Sequence, residues 1–580
     1  MIESAPDQNS TDKTITDKTI TDKTTTDKAA TPPTARPGPD FWQAALTLLP
    51  YVLLLATAFS VFAQSVDDPF ITFRYARNML AGLGPVFNPG ERVEGFTSPL
   101  HLLLTALLLK ILPGVGALFK AKLASLLFAL VLLWQVRPLA REFGLSPTQG
   151  VLAQCLIALN VNFAVPAVNG LETTLYAVLL TAGVHRFLVE CREEAAGQKP
   201  RLGSALWLVA ALVARPDTLL SFGTLLCVLL WRLRRGETTI PRVASWAVVF
   251  LVPLGAMTLV RLSYFGEPLP NTYYAKHSTL AFSIPHGISY LLRPMTPIGT
   301  ETHVMPRRGG TFDSYFLLPQ MLWYWGLFAL GLTRLRSLKF SLVLFAELAA
   351  MLALVLRAGG DWMLGWRFIL PFSPYLTFIQ CLGLVAAGDL LTRALRARPQ
   401  RGYGAAVAAT GLFWLASALA NPHFSWSATG FSTNDRDLLA PSMYGRIWVA
   451  AADYIQVHVP QGGTVAGSEM GYAPYVNMDK HFFDVRGLTN AEVALGTPSA
   501  KKDYAGVHDR RWFLSDSLVG SRILKLSPSL IYIVIDNAKK PLILDGRYKK
   551  TLISDDMQAR IKACKTSVNF YVPVTPPPQP

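Results

Sequence analysis

The chain has 580 residues, 51% hydrophobic and only 16% charged, with a formal net charge of +16. A mean hydropathy of +0.32 excludes an ordinary soluble domain. Repeated apolar runs near the ~20 residues that cross a bilayer make the class an α-helical polytopic membrane protein. The positive charge does not point to nucleic acid, because much of it lies in short loops between apolar runs, the pattern that orients membrane proteins.

Residues 11–30 repeat Thr-Asp-Lys every five residues, and Thr, Pro and Ala follow as far as Pro39. Residues 1–40 are therefore expected to be a disordered cytoplasmic tail and not a signal peptide. The first span is read at 41–63. Lys13, Lys18, Lys23, Lys28 and Arg36 precede it, which places its N-terminus in the cytoplasm and the first loop, 64–116, on the outer face. That loop opens with Asp67-Asp68-Pro69-Phe70-Ile71-Thr72-Phe73-Arg74-Tyr75-Ala76-Arg77-Asn78, two carboxylates followed by a short amphipathic helix. A Gly/Pro-rich stretch carries Glu94. Ser98–Leu112 is read as an apolar helix lying in the outer interface, with Lys110 snorkelling. With that reading, Arg137 and Arg141 fall inside.

Further spans follow at 117–136, 147–166, 170–186, 203–214 with 217–231 as a short pair, 244–263, 316–333, 340–357, 368–388 and 404–420. The total is about eleven crossings. A second large outer loop takes 264–315. The inner loops are basic, as in Arg232, Arg234 and Arg235, or Arg334, Arg336 and Lys339. The outer loops collect isolated acids: Asp67, Asp68, Glu94, Glu172, Asp217 and Asp361. The domain plan is thus a transmembrane region over 41–420 and an extracytoplasmic α/β domain over 421–570 with its own core. Strand-like runs at Thr464–Gly467 and Leu530–Asp536 and a helical run at Tyr444–Val457 support the second domain. A disordered tail is expected at 571–580. The five cysteines, Cys155, Cys191, Cys227, Cys381 and Cys564, form no CxxC pair and suggest neither a disulfide framework nor a metal site.

The chemistry is sought where ionisable groups meet span ends. Asp67 and Asp68 either mark the water boundary or act as a general base with an orienting partner. An aspartate pair also suits Mg or Mn, so a divalent cation is possible there. Glu94 is either a second carboxylate for acceptor hydroxyls or a solvated loop acid. Glu172, in Asn169-Gly170-Leu171-Glu172, is a catalytic acid or a helix cap. Asp217 and Arg215, around Pro216, form a structural ion pair or support the site, as do Arg74 and Asp361. Lys276, His277 and Arg367 lie in outer loops and are the candidates to bind a phosphate. No P-loop, HExxH, Gly-x-Ser-x-Gly or dinucleotide-binding turn occurs. A sugar transferred on the outer face would then need a lipid-borne donor.

The first outer loop, with Gly84-Pro85-Val86-Phe87-Asn88-Pro89-Gly90-Glu91-Arg92-Val93-Glu94-Gly95-Phe96-Thr97-Ser98-Pro99, resembles that of bacterial membrane glycosyltransferases of the GT-C fold. It resembles in particular the mycobacterial terminal arabinofuranosyltransferases and the dolichyl-phosphate-mannose-protein mannosyltransferase-like group. Asn169–Glu172, Ala214–Asp217, Leu269–Lys276 and Gly359–Phe368 extend the resemblance in order, and Gly467–Tyr472 and Asp484–Asn490 look like the outer domain of such proteins. The resemblance implies a polyprenyl-phosphate sugar donor, a glycan, lipid or protein acceptor, and a bacterial inner-membrane location. It also implies an acid at Asp67 or Asp68 as base, assistance from Glu172, and a phosphate held by Arg367 or Lys276. No long C-terminal carbohydrate-binding region is present, which argues against a polymeric acceptor. The competing class is a transporter or flippase of a lipid-linked sugar, suggested by the short pair broken at Arg215-Pro216-Asp217.

Overall fold

The computed structural model describes residues 41–111, 113–292, 313–361, 363, 365–396, 398–419, 432–499, 502–503, 506–507, 518–535, 547–550 and 567–574. The expected N-terminal tail and part of the second outer loop, 293–312, lie outside the described residues. From Leu46 onward the chain forms one unit.

The helical part runs α1 (Phe41–Ser60), α2 (Pro69–Leu80), α3 (Pro99–Ile111), α4 (Ala117–Glu142), α5 (Pro147–Ala158), α6 (Val161–Ala167), α7 (Thr173–Ala195), α8 (Gly203–Ala214) and α9 (Thr218–Arg234). It continues through α10 (Ile240–Phe265), α11 (Asn271–Lys276), α12 (Leu280–Leu292), α13 (Asp313–Leu332), α14 (Ser341–Ala358), α15 (Ser373–Ala394) and α16 (Pro399–Leu419). Each span read from hydropathy has a helix, or a bent pair, at its place. Among the described residues, five helices are long and apolar enough to cross a membrane, and α5 with α6, bent by 71°, make a sixth if the pair counts as one span. The bend falls at Asn160, whose side chain caps α6 by accepting from the Asn162 N–H.

Three local features place the site. The thirteen residues of α3 rise about 20 Å, too little to cross a hydrocarbon core of ~30 Å. Leu103, Leu107 and Ile111 are exposed along one stripe of α3 at four-residue spacing, as expected of a helix lying against lipid. The twelve residues of α8 are equally short. Pro216 has no N–H to continue α8, and Arg215 before it is extended, with φ −156° and ψ 133°. Finally, Lys122 of α4 donates to the carbonyls of Phe62 and Gln64, 2.7 Å each, and pins the exit of α1 just before the two aspartates.

The C-terminal part holds α17 (Asp435–Leu439), α18 (Met443–His458), β1 (Thr464–Gly467), α19 (Tyr472–Val476), β2 (His481–Asp484), α20 (Ala491–Gly496), β3 (Lys502–Asp503), β4 (Gly506–Val507), α21 (Leu518–Leu526), β5 (Leu530–Ile535), β6 (Tyr548–Lys550) and β7 (Ser567–Pro573). The main sheet has the order β2-β1-β5-β7-β6, with β1 parallel to both β2 and β5 and β7 antiparallel to β5 and β6. The tail expected from residue 571 therefore starts later, because Tyr571–Pro573 pair with Tyr548–Lys550.

The domain's core differs from the expectation of one self-contained interior. One sheet face has its own cluster of Phe483, Val493, Val519, Ile523, Ile531 and Ile533. The other face, through Val465, Phe482 and Leu530, shares a cluster with α18 and with Phe70 and Phe73 of α2. The first outer loop and this domain thus bury their apolar surface against each other, and Phe70 packs edge-on to Tyr472 with ring centroids 5.1 Å apart.

Candidate active site

The two adjacent aspartates have different surroundings. The Asp67 carboxylate is 2% exposed and accepts from the backbone N–H groups of Gly471 and Tyr472, both at 2.7 Å. A side chain at position 471 has no room, since a Cβ there would lie 2.1 Å from the Asp67 carbonyl oxygen. Burial and the nearby Glu469 carboxylate raise the proton affinity of Asp67, against the pull of the two amides. Asp67 thus latches the exit of α1 to the loop that follows β1.

Asp68 is half-buried and stands at the N-terminus of α2 without capping it. Among the described residues its carboxylate accepts no hydrogen bond and joins no ion pair. Burial raises its pKa, the Lys276 ammonium and the Arg367 guanidinium lower it, and Asp361 and Glu172 raise it. These four residues come from the α11 end, from the segment between α14 and α15, and from the start of α7. The loops bring them together around a single carboxylate.

The two cations have spare capacity. Lys276, at the end of α11, is half-buried and forms no ion pair among the described residues. Arg367 is 8% exposed and lies over the Phe368 ring. Its Nε is 2.7 Å from Asp361 Oδ2, yet the contact is poorly aligned and completes no hydrogen bond. Neither Nη atom hydrogen-bonds to a described residue. Arg367 therefore has a counter-charge beside its Nε and, among the described residues, two Nη groups without a hydrogen-bond partner, donors of the kind that suit phosphate oxygens.

Behind this cluster lies a second one. Glu172 does not cap α7 with its side chain. It pairs with Nη1 of Arg215, whose Nε is 2.6 Å from Asp217 Oδ2. Arg215 also lies over the rings of Tyr176 and Phe368. Arg215 and Asp217 are thus a buried ion pair, and the charges of Arg215 and Arg367 both act on Glu172.

Three expected site residues are engaged elsewhere. Both oxygens of Glu94 accept from Arg261 Nε of α10, at 3.1 and 2.9 Å, in a buried ion pair. Glu94 is neither solvated nor free for an acceptor, because its loop is fastened to the end of α10. His277 approaches Ser499 Oγ at 3.4 Å and tilts against the Tyr273 ring. Burial and the charges of Arg357 and Lys502 push its pKa down, which makes a neutral imidazole a poor phosphate counter-ion. Arg74 is fully buried, donates to the carbonyls of Phe87 at 2.8 Å and Lys480 at 3.0 Å and to those of Pro474 and Asn477, and lies between the Phe87 and Phe482 rings. It rivets α2 to the C-terminal domain.

Sequence reasoning missed Asn271, Lys502 and Glu469. Asn271 donates to the carbonyls of Gly487 (2.7 Å) and Leu488 (2.9 Å), while its backbone N–H meets the Glu94 carbonyl at 3.0 Å. Lys502 donates to the Tyr274 and Ala494 carbonyls at 2.9 and 2.6 Å. Both tie α11, and with it Lys276, to the C-terminal domain. Glu469 follows β1, close enough to Asp67 and Asp68 to feel their charge. Burial, opposed by Arg486 and aided by Asp68 and Asp484, raises its pKa to about 7. The signal for it was a lone acid between glycines directly after a strand-like run. The pair of oxygens on Asp67 is already taken by amides, and no group of three or more His, Cys, Asp or Glu side chains among the described residues is placed to hold a metal ion.

Comparison with known proteins bears out the expected resemblance. A terminal β-(1→2)-arabinofuranosyltransferase of Mycobacterium tuberculosis is 30% identical over 225 residues, 36% of this chain and 34% of that protein. A terminal β-(1→2)-arabinofuranosyltransferase of Corynebacterium glutamicum is 26% identical over 356 residues, 53% of this chain and 46% of that protein. The chain thus spans a third to a half of the length of these curated relatives. Among solved structures, ArnT from Cupriavidus metallidurans bound to undecaprenyl phosphate overlays with a TM-score of 0.48 at 15% identity, over 93% of this chain and 99% of that one. The archaeal oligosaccharyltransferase AglB from Archaeoglobus fulgidus, in complex with an inhibitory peptide and a dolichol-phosphate, gives 0.48 at 12% identity, over 88% and 72%. A family described as a domain of unknown function (DUF8728) matches residues 441–571, the part of the chain from α18 to β7.

Proposed function

We propose that the chain is a membrane glycosyltransferase of the GT-C fold that moves a sugar from a polyprenyl-phosphate donor to an acceptor hydroxyl, with Asp68 as the general base. The observation that carries this reading is an Asp68 carboxylate with no hydrogen bond or ion pair among the described residues, within reach of the charges of Lys276 and Arg367, whose own charged heads complete no hydrogen bond to a described residue. The similarity to terminal arabinofuranosyltransferases makes arabinofuranose the first sugar to test.

In this mechanism Lys276 and Arg367 take the phosphate of the donor while its prenyl tail stays in the membrane. The acceptor hydroxyl approaches C1 from the aqueous side. Asp68 takes its proton as the new C1–O bond forms and the C1–O bond to phosphate breaks. The leaving prenyl phosphate is already ionised, so the two cations stabilise the developing charge and no strong acid is required. A single displacement inverts C1. Glu172 and Asp361 balance the charge of Arg367 and keep its fork in place. The basic inner loops favour a cytoplasmic N-terminus, with the site and the C-terminal domain on the outer face of a bacterial inner membrane.

The test is incubation of the protein in proteoliposomes with labelled prenyl-phosphate sugars. Release of free prenyl phosphate with transfer of the label supports the reading. Movement of intact donor across the bilayer without cleavage supports the transporter instead, the class that the broken α8–α9 pair would suit.

A further inference from the structure

The C-terminal domain matches a family of unknown function, and its sheet topology says where a ligand would sit. β1 lies between β2 and β5, all three parallel, so the chain leaves β1 for one neighbour and later returns to the other. In open α/β sheets the binding crevice lies outside the carboxyl ends of the strands at such a switch point. Here the loop after β1 carries Glu469, and the loop after β2 carries Arg486. Both loops are rigidly built. Asp67 fills the two amides at Gly471 and Tyr472. Asp484 accepts from the N–H groups of Arg486 (2.8 Å), Gly487 (3.1 Å) and Thr489 (2.8 Å) and from the Thr489 hydroxyl (3.1 Å), which fixes the second loop.

The two side chains at this crevice are not closed on each other. Arg486 Nη2 is 3.9 Å from Glu469 Oε1, and the side chains remain 27% and 24% exposed. A closed guanidinium–carboxylate pair would sit at about 2.8 Å. Both heads therefore keep unused hydrogen-bonding capacity at the edge of the site. The charges of Lys276 and Arg367 reach Asp68, and that of Asp68 reaches Glu469. Asp68 is the group common to the phosphate side and the crevice side.

We propose that this crevice binds the acceptor as a polyhydroxylated sugar, Glu469 accepting from its hydroxyls and Arg486 donating to them, so that the domain of unknown function forms the aqueous half of the active site. The inference rests on the glycosyltransferase reading above. The lipid donor is held by the membrane half, and the acceptor is presented to Asp68 by the sheet's carboxyl edge. The same domain holds α11 through Asn271 and Lys502, so both substrates are registered against one rigid body.

The experiment measures initial rates with labelled prenyl-phosphate arabinose and octyl arabinofuranoside as acceptor, varying each in turn, for wild type, Glu469→Gln and Arg486→Lys. The expected result is an acceptor KM raised about tenfold in both variants, a loss of about 1.4 kcal/mol, with donor KM within twofold of wild type. A merely structural role would disturb both KM values together, and that outcome overturns the inference. So does an unchanged acceptor KM in variants that turn over donor normally. A wild type that releases no prenyl phosphate overturns the glycosyltransferase reading itself, and this inference with it.

Discussion

Replacing Asp68 by asparagine removes a charge but no hydrogen bond among the described residues. Burial is the largest influence on the Asp68 charge and disfavours it, while Lys276 and Arg367 favour it and Asp361 and Glu172 oppose it, so removing the charge gives up no net stabilisation. The folded state should therefore change by no more than about 0.5 kcal/mol, the usual range for a substitution that breaks no contact. The rate should change far more. A positioned general base contributes roughly 10²–10⁴-fold, which is about 3–5 kcal/mol of activation free energy. The assay is release of labelled prenyl phosphate by purified protein, paired with a thermal melt in the same detergent. Asp67→Asn should behave in the opposite way. The Gly471 and Tyr472 N–H groups address different oxygens of Asp67, and in asparagine one of those positions becomes a donor NH2, so one bond is lost and two donors face each other, at about 2–4 kcal/mol. That variant should melt earlier and expose the C-terminal domain to protease, with activity lost in proportion to the fold. An Asp68→Asn protein within tenfold of the wild-type rate would refute the assignment, as would an Asp67→Asn protein of unchanged stability.

The pH profile gives a second handle. Burial raises the Asp68 pKa, and the base must be ionised, so kcat/KM should fall as pH drops through a value above the ~3.9 of a free aspartate and level off above it. Lys276→Ala should leave the melt unchanged, since that ammonium has no ion-pair partner among the described residues, and raise donor KM about tenfold. Arg367→Lys, which keeps a charge opposite Asp361, should weaken donor binding through loss of the planar fork. Arg74→Ala removes donors to four buried carbonyls and should destabilise the α2–domain contact by at least 3 kcal/mol, read as protease sensitivity before any loss of helicity.

The membrane part of the fold was legible because hydropathy reports burial in lipid directly. The spans read at 117–136 and 244–263 sit inside α4 and α10, and the broken pair at Pro216 follows from the missing N–H. The candidate site was legible in its members and not in their pairing. Asp67 and Asp68 are neighbours with the same chemistry, and only the fold separates them, through amides 404 and 405 residues away along the chain. Glu94 and Arg74 looked like site residues for the same reason that they are buried charges: each needs a partner, Arg261 in one case and backbone carbonyls in the other. Glu469 escaped because its place beside Arg486 and Asp67 depends on the order of strands in a sheet, which periodicity does not encode.

The most direct test is a structure of the protein with a non-transferable polyprenyl-phosphonate sugar bound. The phosphonate should lie within hydrogen-bonding distance of Arg367 and Lys276, with the prenyl tail in the membrane and the sugar C1 facing Asp68 with room for a hydroxyl between them. A phosphonate bound away from both cations, or a sugar whose C1 faces away from Asp68, would contradict the proposed mechanism.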